Sequence, residues 1–200
     1  ETVYDLAGVG ATCAVVWTVP DATTIEAAVE LRPGGTGPGH IPRIGMQVTL
    51  PAALCRVEWY GRGPHESYRD RWTSALLGRW QAEVRTWNHA YIRPQEVGNR
   101  MDVRWLRLAD AAGRSLLVEG VSGPLNVSAW PWTLEDLEQA EHSHDLVGRD
   151  AIVLNIDHGQ MGVGGDDGWG ARVHAAYMLP ADRVHRYAFR LRLEEGRSGP

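Results

Sequence analysis

Three carboxylates and one indole crowd into residues 155–170, Asn-Ile-Asp-His-Gly-Gln-Met-Gly-Val-Gly-Gly-Asp-Asp-Gly-Trp-Gly. The stretch reads as the exit of a short apolar strand, Ala151 to Leu154, into a glycine-rich loop carrying Asp157, Asp166 and Asp167. It closes on Trp169 between Gly168 and Gly170, which supply no bulk to bury an indole locally. Loops held on a rigid scaffold are where binding residues concentrate. A flat indole beside carboxylates suits a sugar ring, because the indole covers its C–H face while the carboxylates accept hydroxyl hydrogen bonds. The competing reading is a core tryptophan closing a glycine corner.

Two other clusters carry charge. Residues 61–71, Gly-Arg-Gly-Pro-His-Glu-Ser-Tyr-Arg-Asp-Arg, turn at Gly63-Pro64. Beyond the turn Glu66, Asp70 and Arg71 are spaced for an ion-paired clasp that locks a loop. Farther on, Glu96 precedes Arg100, Asp102 and Arg104, which share one face if the segment is a strand. That ladder fits a solvated face as well as a face holding sugar hydroxyls or Glu96. His142 and His144 fall at the end of an expected helix, where an i, i+2 pair diverges and makes a poor metal site. His158 stands beside Asp157. The glycines from Gly162 fit no G-x-G-x-x-G pattern, since Asp167 occupies the last glycine position, and the carboxylate spacing is not that of a calcium loop. Asn126-Val127-Ser128 is a formal glycosylation sequon.

The elements that must position these groups are mostly strands. Apolar residues alternate with polar ones at Ile25–Leu31, Ile44–Leu50, Cys55–Trp59, Val173–Leu179 and His185–Leu193. Gly/Pro clusters such as Pro33–Gly39 separate the early runs, the signature of an antiparallel sandwich. One helix is expected over Thr133–His142, with capping-box spacing between Thr133 and Asp136 and with Leu134 and Leu137 on one face. Gly196–Pro200 reads as a frayed tail, and Glu1–Asp5 begins in mid-pattern, as a piece of a longer chain would.

Composition narrows the chemistry. Two hundred residues at 44% hydrophobic and 22% charged suit one globular domain. A net charge of −5 argues against nucleic acid. No apolar run reaches the ~20 residues of a membrane helix. Two cysteines and no leader-like start give the expectation of a cytoplasmic protein without disulfides. Every one of the 20 basic residues is arginine, which removes Schiff-base and P-loop chemistry. Nine Trp against one Phe is more than core building asks for, and fits binding surfaces.

Taken together, four stretches resemble the C-terminal, small-chain domain of the family 2 β-galactosidases. They are Ile41-Pro42-Arg43-Ile44-Gly45; Gly63 through Arg71; Tyr91 with Pro94-Gln95-Glu96 and Gly98-Asn99-Arg100; and Leu154 through Trp169. Residues 1–40 contribute little to the likeness. The resemblance implies an all-β, twisted antiparallel super-sandwich related to galactose mutarotases. It also implies a domain that closes over the active site of a separate barrel domain, with Trp169 at the position that stacks on a β-galactoside such as lactose. Asp166 and Asp167 would line that substrate site, with Glu66, Asp70, Arg71, Glu96, Arg100, Asp102 and Arg104 supporting it. The two catalytic glutamates belong to the barrel, where one follows an asparagine. No Asn-Glu pair occurs here, so no catalytic residue is expected in this chain. Nor is a cofactor or metal expected in it; a divalent ion and sodium would belong to the barrel. The implied partners are the substrate, the barrel domain of the same enzyme and further copies of that enzyme. The family's domain also extends farther at its amino end. Two other readings stand beside this one: a free-standing mutarotase-type epimerase pairing Glu96 with His142 or His158, and a carbohydrate-binding or subunit-interface module without chemistry.

Overall fold

A computed structural model describes residues 1–34 and 39–196. Most of the Pro33–Gly39 cluster and of the Gly196–Pro200 tail therefore lies outside the described residues. Eight strands form the larger sheet: β1 (Thr2–Leu6), β2 (Ala11–Asp21), β3 (Thr24–Arg32), β6 (Arg56–Gly63), β7 (Leu76–Glu83), β9 (Trp105–Ala109), β10 (Ser115–Gly120) and β14 (His185–Glu194). Their spatial order is β1-β2-β3-β14-β10-β9-β6-β7, with every pairing antiparallel. Four strands, β5 (Arg43–Pro51), β8 (Arg100–Val103), β11 (Leu125–Trp130) and β12 (Ala151–Gln160), form a second antiparallel sheet in the order β5-β12-β11-β8. A two-stranded pair joins β4 (His40–Ile41) to β13 (Leu179–Pro180).

The two large sheets close on one apolar core. Val57, Trp59, Leu106, Leu108, Val118 and Phe189 come from the larger sheet, and Val127, Ala129, Ile152, Leu154 and Ile156 from the smaller. Strand β11 is buried at every position, so the smaller sheet is covered on both faces. Its outer cover is Trp130, Leu137 and Val153 with Trp132 and Leu146 packed against them. The all-β antiparallel sandwich expected from alternation is what forms.

Particular elements differ. The strand expected to end at Leu154 runs on to Gln160, so Asp157 is a strand residue and not part of the loop. The polar side chains that looked like loop residues have buried partners: Asn155 donates to Ser128 Oγ at 2.9 Å and accepts from Gln47 Nε2 at 2.8 Å. The Val173–Leu179 strand is absent. A 3-10 turn occupies Ala175–Tyr177, and only Leu179–Pro180 pairs, because β4 offers just two residues to pair with. The helix is α2 (Leu134–Gln139), following α1 (Val84–Trp87). The Thr133/Asp136 capping box is present, and the helix stops before His142. Leu137 is buried but Leu134 is exposed, so they do not share a buried face.

The arginine ladder does not form either. Asp102 adopts φ 55° at the corner where the chain leaves the smaller sheet (β8) for the larger (β9). Positive φ breaks the alternation that would align Arg100, Asp102 and Arg104. Arg100 turns inward over Trp87 at 4.3 Å and donates to the Trp87 and Gly98 carbonyls. Asp102 pairs with Arg62 at 2.6 Å, and Arg104 donates to the Asp102 carbonyl.

The tryptophans are mainly structural. Trp59, Trp87 and Trp130 are buried, Trp59 and Trp87 meet edge to face at 4.7 Å, and each indole N–H donates to a backbone carbonyl. An indole supplies large apolar area together with a donor, so a buried turn can be tied from within the core. Phe could not do that.

Candidate functional site

The last residues of β12 enter the site from below. Asp157 is 1% exposed, and its carboxylate lies 3.1 Å from Arg43 Nε on the neighbouring strand β5. Arg43 also donates from Nη2 to Glu96 Oε1 at 3.1 Å, and the Tyr68 hydroxyl donates to the same oxygen at 3.3 Å. Two carboxylates thus share one guanidinium, which also rests over the Trp130 ring at 5.2 Å. Burial pushes the Asp157 carboxyl up to about 7 despite Arg43, and the charge on Glu96 adds to the rise. Burial raises Glu96 as well, against the opposing pull of Arg43 and the Tyr68 hydrogen bond. Gly45 makes the arrangement possible, since a Cβ there would sit 1.8 Å from Asp157 Oδ1.

Beside this network is the clasp. Glu66 Oε1 accepts from Arg71 Nη2 at 2.6 Å and from the Tyr91 hydroxyl, while Oε2 accepts from the Gly98 N–H at 2.8 Å. Gly98 sits at φ 83°, where a side chain would be strained and would strike Asn88. Asp70, expected in the clasp, is not in it. Its carboxylate points at the glycine loop and accepts from Val163 N at 3.2 Å and Gly164 N at 2.7 Å. Gly162 packs against that carboxylate closely enough that a Cβ would meet it at 2.6 Å.

The loop is tied at both ends. Met161 N donates to Pro42 O, Gly162 N to Tyr177 O, and Arg69 reaches the Met178 carbonyl. At the tip Asp167 Oδ1 accepts from Trp169 N at 2.8 Å and Ala171 N at 3.2 Å, folding the tip onto its own backbone. Asp166 pairs with His174 at 2.8 Å. Trp169 is 96% exposed. The indole is no core residue: its backbone is held while its ring touches water.

Trp169, Asp166 and Asp167 therefore share one tip, with Asp70 beneath it. Glu66 and Arg71 sit together in the clasp, Glu96 sits in the buried network, and Arg100, Asp102 and Arg104 are spread around the sheet corner. Arg43, Tyr68 and the burial of Asp157 were missed by sequence reasoning. The period-2 pattern of β5 holds the signal for Arg43, whose side chain falls on the polar side of a strand expected to face solvent there. His158 is half-buried beside His185, with ring centres 5.5 Å apart, and burial lowers its pKa. Asn126 lies in the buried strand β11, where no glycan fits. Cys13 and Cys55 are free, and among the described residues no helix is long and apolar enough to cross a membrane.

Comparison with known proteins agrees with the motifs and extends them. The family described as Beta galactosidase small chain matches residues 1–193, including the amino-terminal part that carried little signature. The β-galactosidase of Priestia megaterium is 38% identical over 182 residues, covering 91% of this chain and 17% of that protein. That of Halalkalibacterium halodurans is 37% identical over 171 residues, covering 85% of this chain and 17% of the relative. That of Lactobacillus delbrueckii subsp. bulgaricus is 39% identical over 154 residues, with 77% and 15% covered. The chain thus spans roughly a sixth of the length of the curated relatives it matches. A crystal structure of a putative aldose 1-epimerase from Escherichia coli K12 aligns over 96% of this chain and 64% of its own, with TM-score 0.48 and 13% identity, too distant to bear on activity. With a family match across nearly its whole length and relatives near 38% identity, the chain belongs to the β-galactosidase small-chain family.

Proposed function

We propose that these residues form the sugar-facing domain of a cytoplasmic, oligomeric family 2 β-galactosidase that hydrolyses terminal β-D-galactosides such as lactose. Retaining hydrolysis needs two carboxyl groups ~5–5.5 Å apart across the glycosidic bond, and in this reading both come from a barrel domain outside these residues. The chain's own contribution is positioning. Trp169 offers a stacking face to the galactoside or its leaving group, while the tethered loop fixes where that face stands. The observation that carries the reading is the bare indole at the tip of a loop whose backbone is held by Asp70 and Asp167.

The test is Trp169→Ala in the complete enzyme. Aromatic stacking is worth about 0.5–1.5 kcal/mol beyond area burial, and about 1.4 kcal/mol is a factor of ten. KM should therefore rise on the order of tenfold, kcat should fall less, and the melting temperature should not move. Unchanged KM on lactose and on a chromogenic galactoside would refute the stacking role.

A further inference from the structure

Past the end of α2 the chain makes a 3-10 turn, Ser143–Asp145, that brings two histidines together. The rings of His142 and His144 stack with centres 5.2 Å apart and planes 15° apart. The i, i+2 divergence expected on a helix does not apply, because the helix has already stopped at Gln139. Asp145 faces both rings: one oxygen is 3.7 Å from His142 Nδ1 and the other 3.6 Å from His144 Nε2. One donor atom from each of the three residues can be chosen so that all lie within 4.8 Å of one another.

We propose that His142, His144 and Asp145 bind a divalent transition metal of the zinc class, contrary to the expectation that this chain holds no metal. A tetrahedral shell with bonds of about 2.0–2.1 Å has donors about 3.3 Å apart and needs both ring planes to meet at the ion, so closure requires the exposed imidazoles to rotate out of their present stacking. The carboxylate is already aimed. Asp145 Oδ2 accepts backbone N–H groups from Glu141 at 3.1 Å and His142 at 2.8 Å, which leaves Oδ1 for the ion. Two imidazoles and one carboxylate select zinc, nickel, copper or cobalt over magnesium or calcium. The bound ion would staple the α2–β12 connection.

The experiment is calorimetric titration of the chelator-treated protein with zinc chloride. One saturable site is expected, weakened at least about tenfold in His142→Ala and in His144→Ala, since loss even of a supporting partner costs about 10–100-fold in metal affinity. Asp145→Asn keeps an acceptor for the two N–H groups and should weaken binding similarly. His65→Ala, at a distant exposed histidine, should not. Zinc should raise the melting temperature of the parent protein and not that of His144→Ala. No saturable binding, or affinity unchanged in the double variant His142→Ala/His144→Ala, overturns the proposal.

Discussion

Strand β12 leads from one carboxylate site to another of opposite kind. At its buried end Asp157 and Glu96 share Arg43, with Tyr68 closing the set and nine-tenths or more of Asp157 out of water. Beyond it, Asp70, Asp166 and Asp167 hold a glycine loop through backbone N–H groups and one exposed histidine, under a bare Trp169. The buried set is charged where charge is expensive, so its value depends on every partner being present. The tip is stitched from short-range hydrogen bonds at the water boundary, where each is worth little and its loss is local. In the stacking role proposed for Trp169, a rigid base and a locally held tip would let the indole meet a ligand without endangering the core.

The sharpest way to break that contrast is Arg43→Ala. Removing one partner of a buried ion pair typically costs ~3–5 kcal/mol, and here it strands two carboxylates. Urea unfolding should show a loss in that range, and a loss below about 1 kcal/mol would mean that the base is no more cooperative than the tip.

Acid response gives the second contrast. Asp157 is raised to about 7 in the fold, above its ordinary value near 3.9. Its contribution to stability is therefore fully present below about pH 4 and is lost as pH rises through about 7. Glu96, also raised, acts in the same sense. Asp136 acts in the opposite sense. Its side-chain hydrogen bond to Arg149, first among several, holds it well below the carboxylate range, so its stabilisation is present above about pH 4 and fades in stronger acid. Denaturation midpoints between pH 4 and 7 should fall with rising pH more steeply in the parent than in Asp157→Asn. Parallel curves would show that Asp157 is not the titrating group.

The same contrast explains which parts could be read from sequence. Alternation gave β3, β5, β6 and β14, because one face of each meets the core and the other meets water. It misled at Val173–Leu179, where Val173 is buried outside any strand and only Leu179 joins a ladder, the two-residue pairing of β13 with β4. Trp169 was legible because bare glycines flank it. The base was not legible: Arg43, Tyr68, Glu96 and Asp157 come from four separated segments, and the sheet register pairs Asp157 with Gly45 and Arg43 with Gln160, so only the reach of the Arg43 side chain brings it to Asp157. Asp102 was opaque for another reason, since nothing in an alternating Arg-Asp-Arg run announces a left-handed residue at a sheet corner.

Asp70 stands between base and tip, and its removal should have an intermediate effect. Its carboxylate caps two N–H groups much as a helix cap does, which sets the scale of Asp70→Ala at about 0.5–2 kcal/mol. The loss should appear chiefly as faster proteolysis within residues 161–178, with Asp70→Asn restoring most of the protection because an amide oxygen still accepts. Equal proteolysis in Asp70→Ala and the parent would mean that the other ties suffice to hold the loop.

The smallest effect on stability belongs to Asp167, and it bears most directly on ligand. Asp167→Ala removes the acceptor for the Trp169 and Ala171 N–H groups on an exposed tip, and exposed substitutions of this kind stay within about ±0.5 kcal/mol. Melting should not change. Freed of that tether, the indole samples orientations that do not fit the sugar, and the population competent to bind falls, raising KM in the complete enzyme in proportion. The rise should be smaller than for Trp169→Ala, because the stacking surface remains. Asp167→Asn separates the two ways in which this residue can matter. An amide oxygen still folds the tip, so a purely positioning role predicts KM close to the parent value. A carboxylate that itself accepts a sugar hydroxyl loses the charged partner of a charge-assisted bond, and Asn then leaves KM raised nearly as far as Ala does. The local folding of Asp167 onto two N–H groups favours the first outcome.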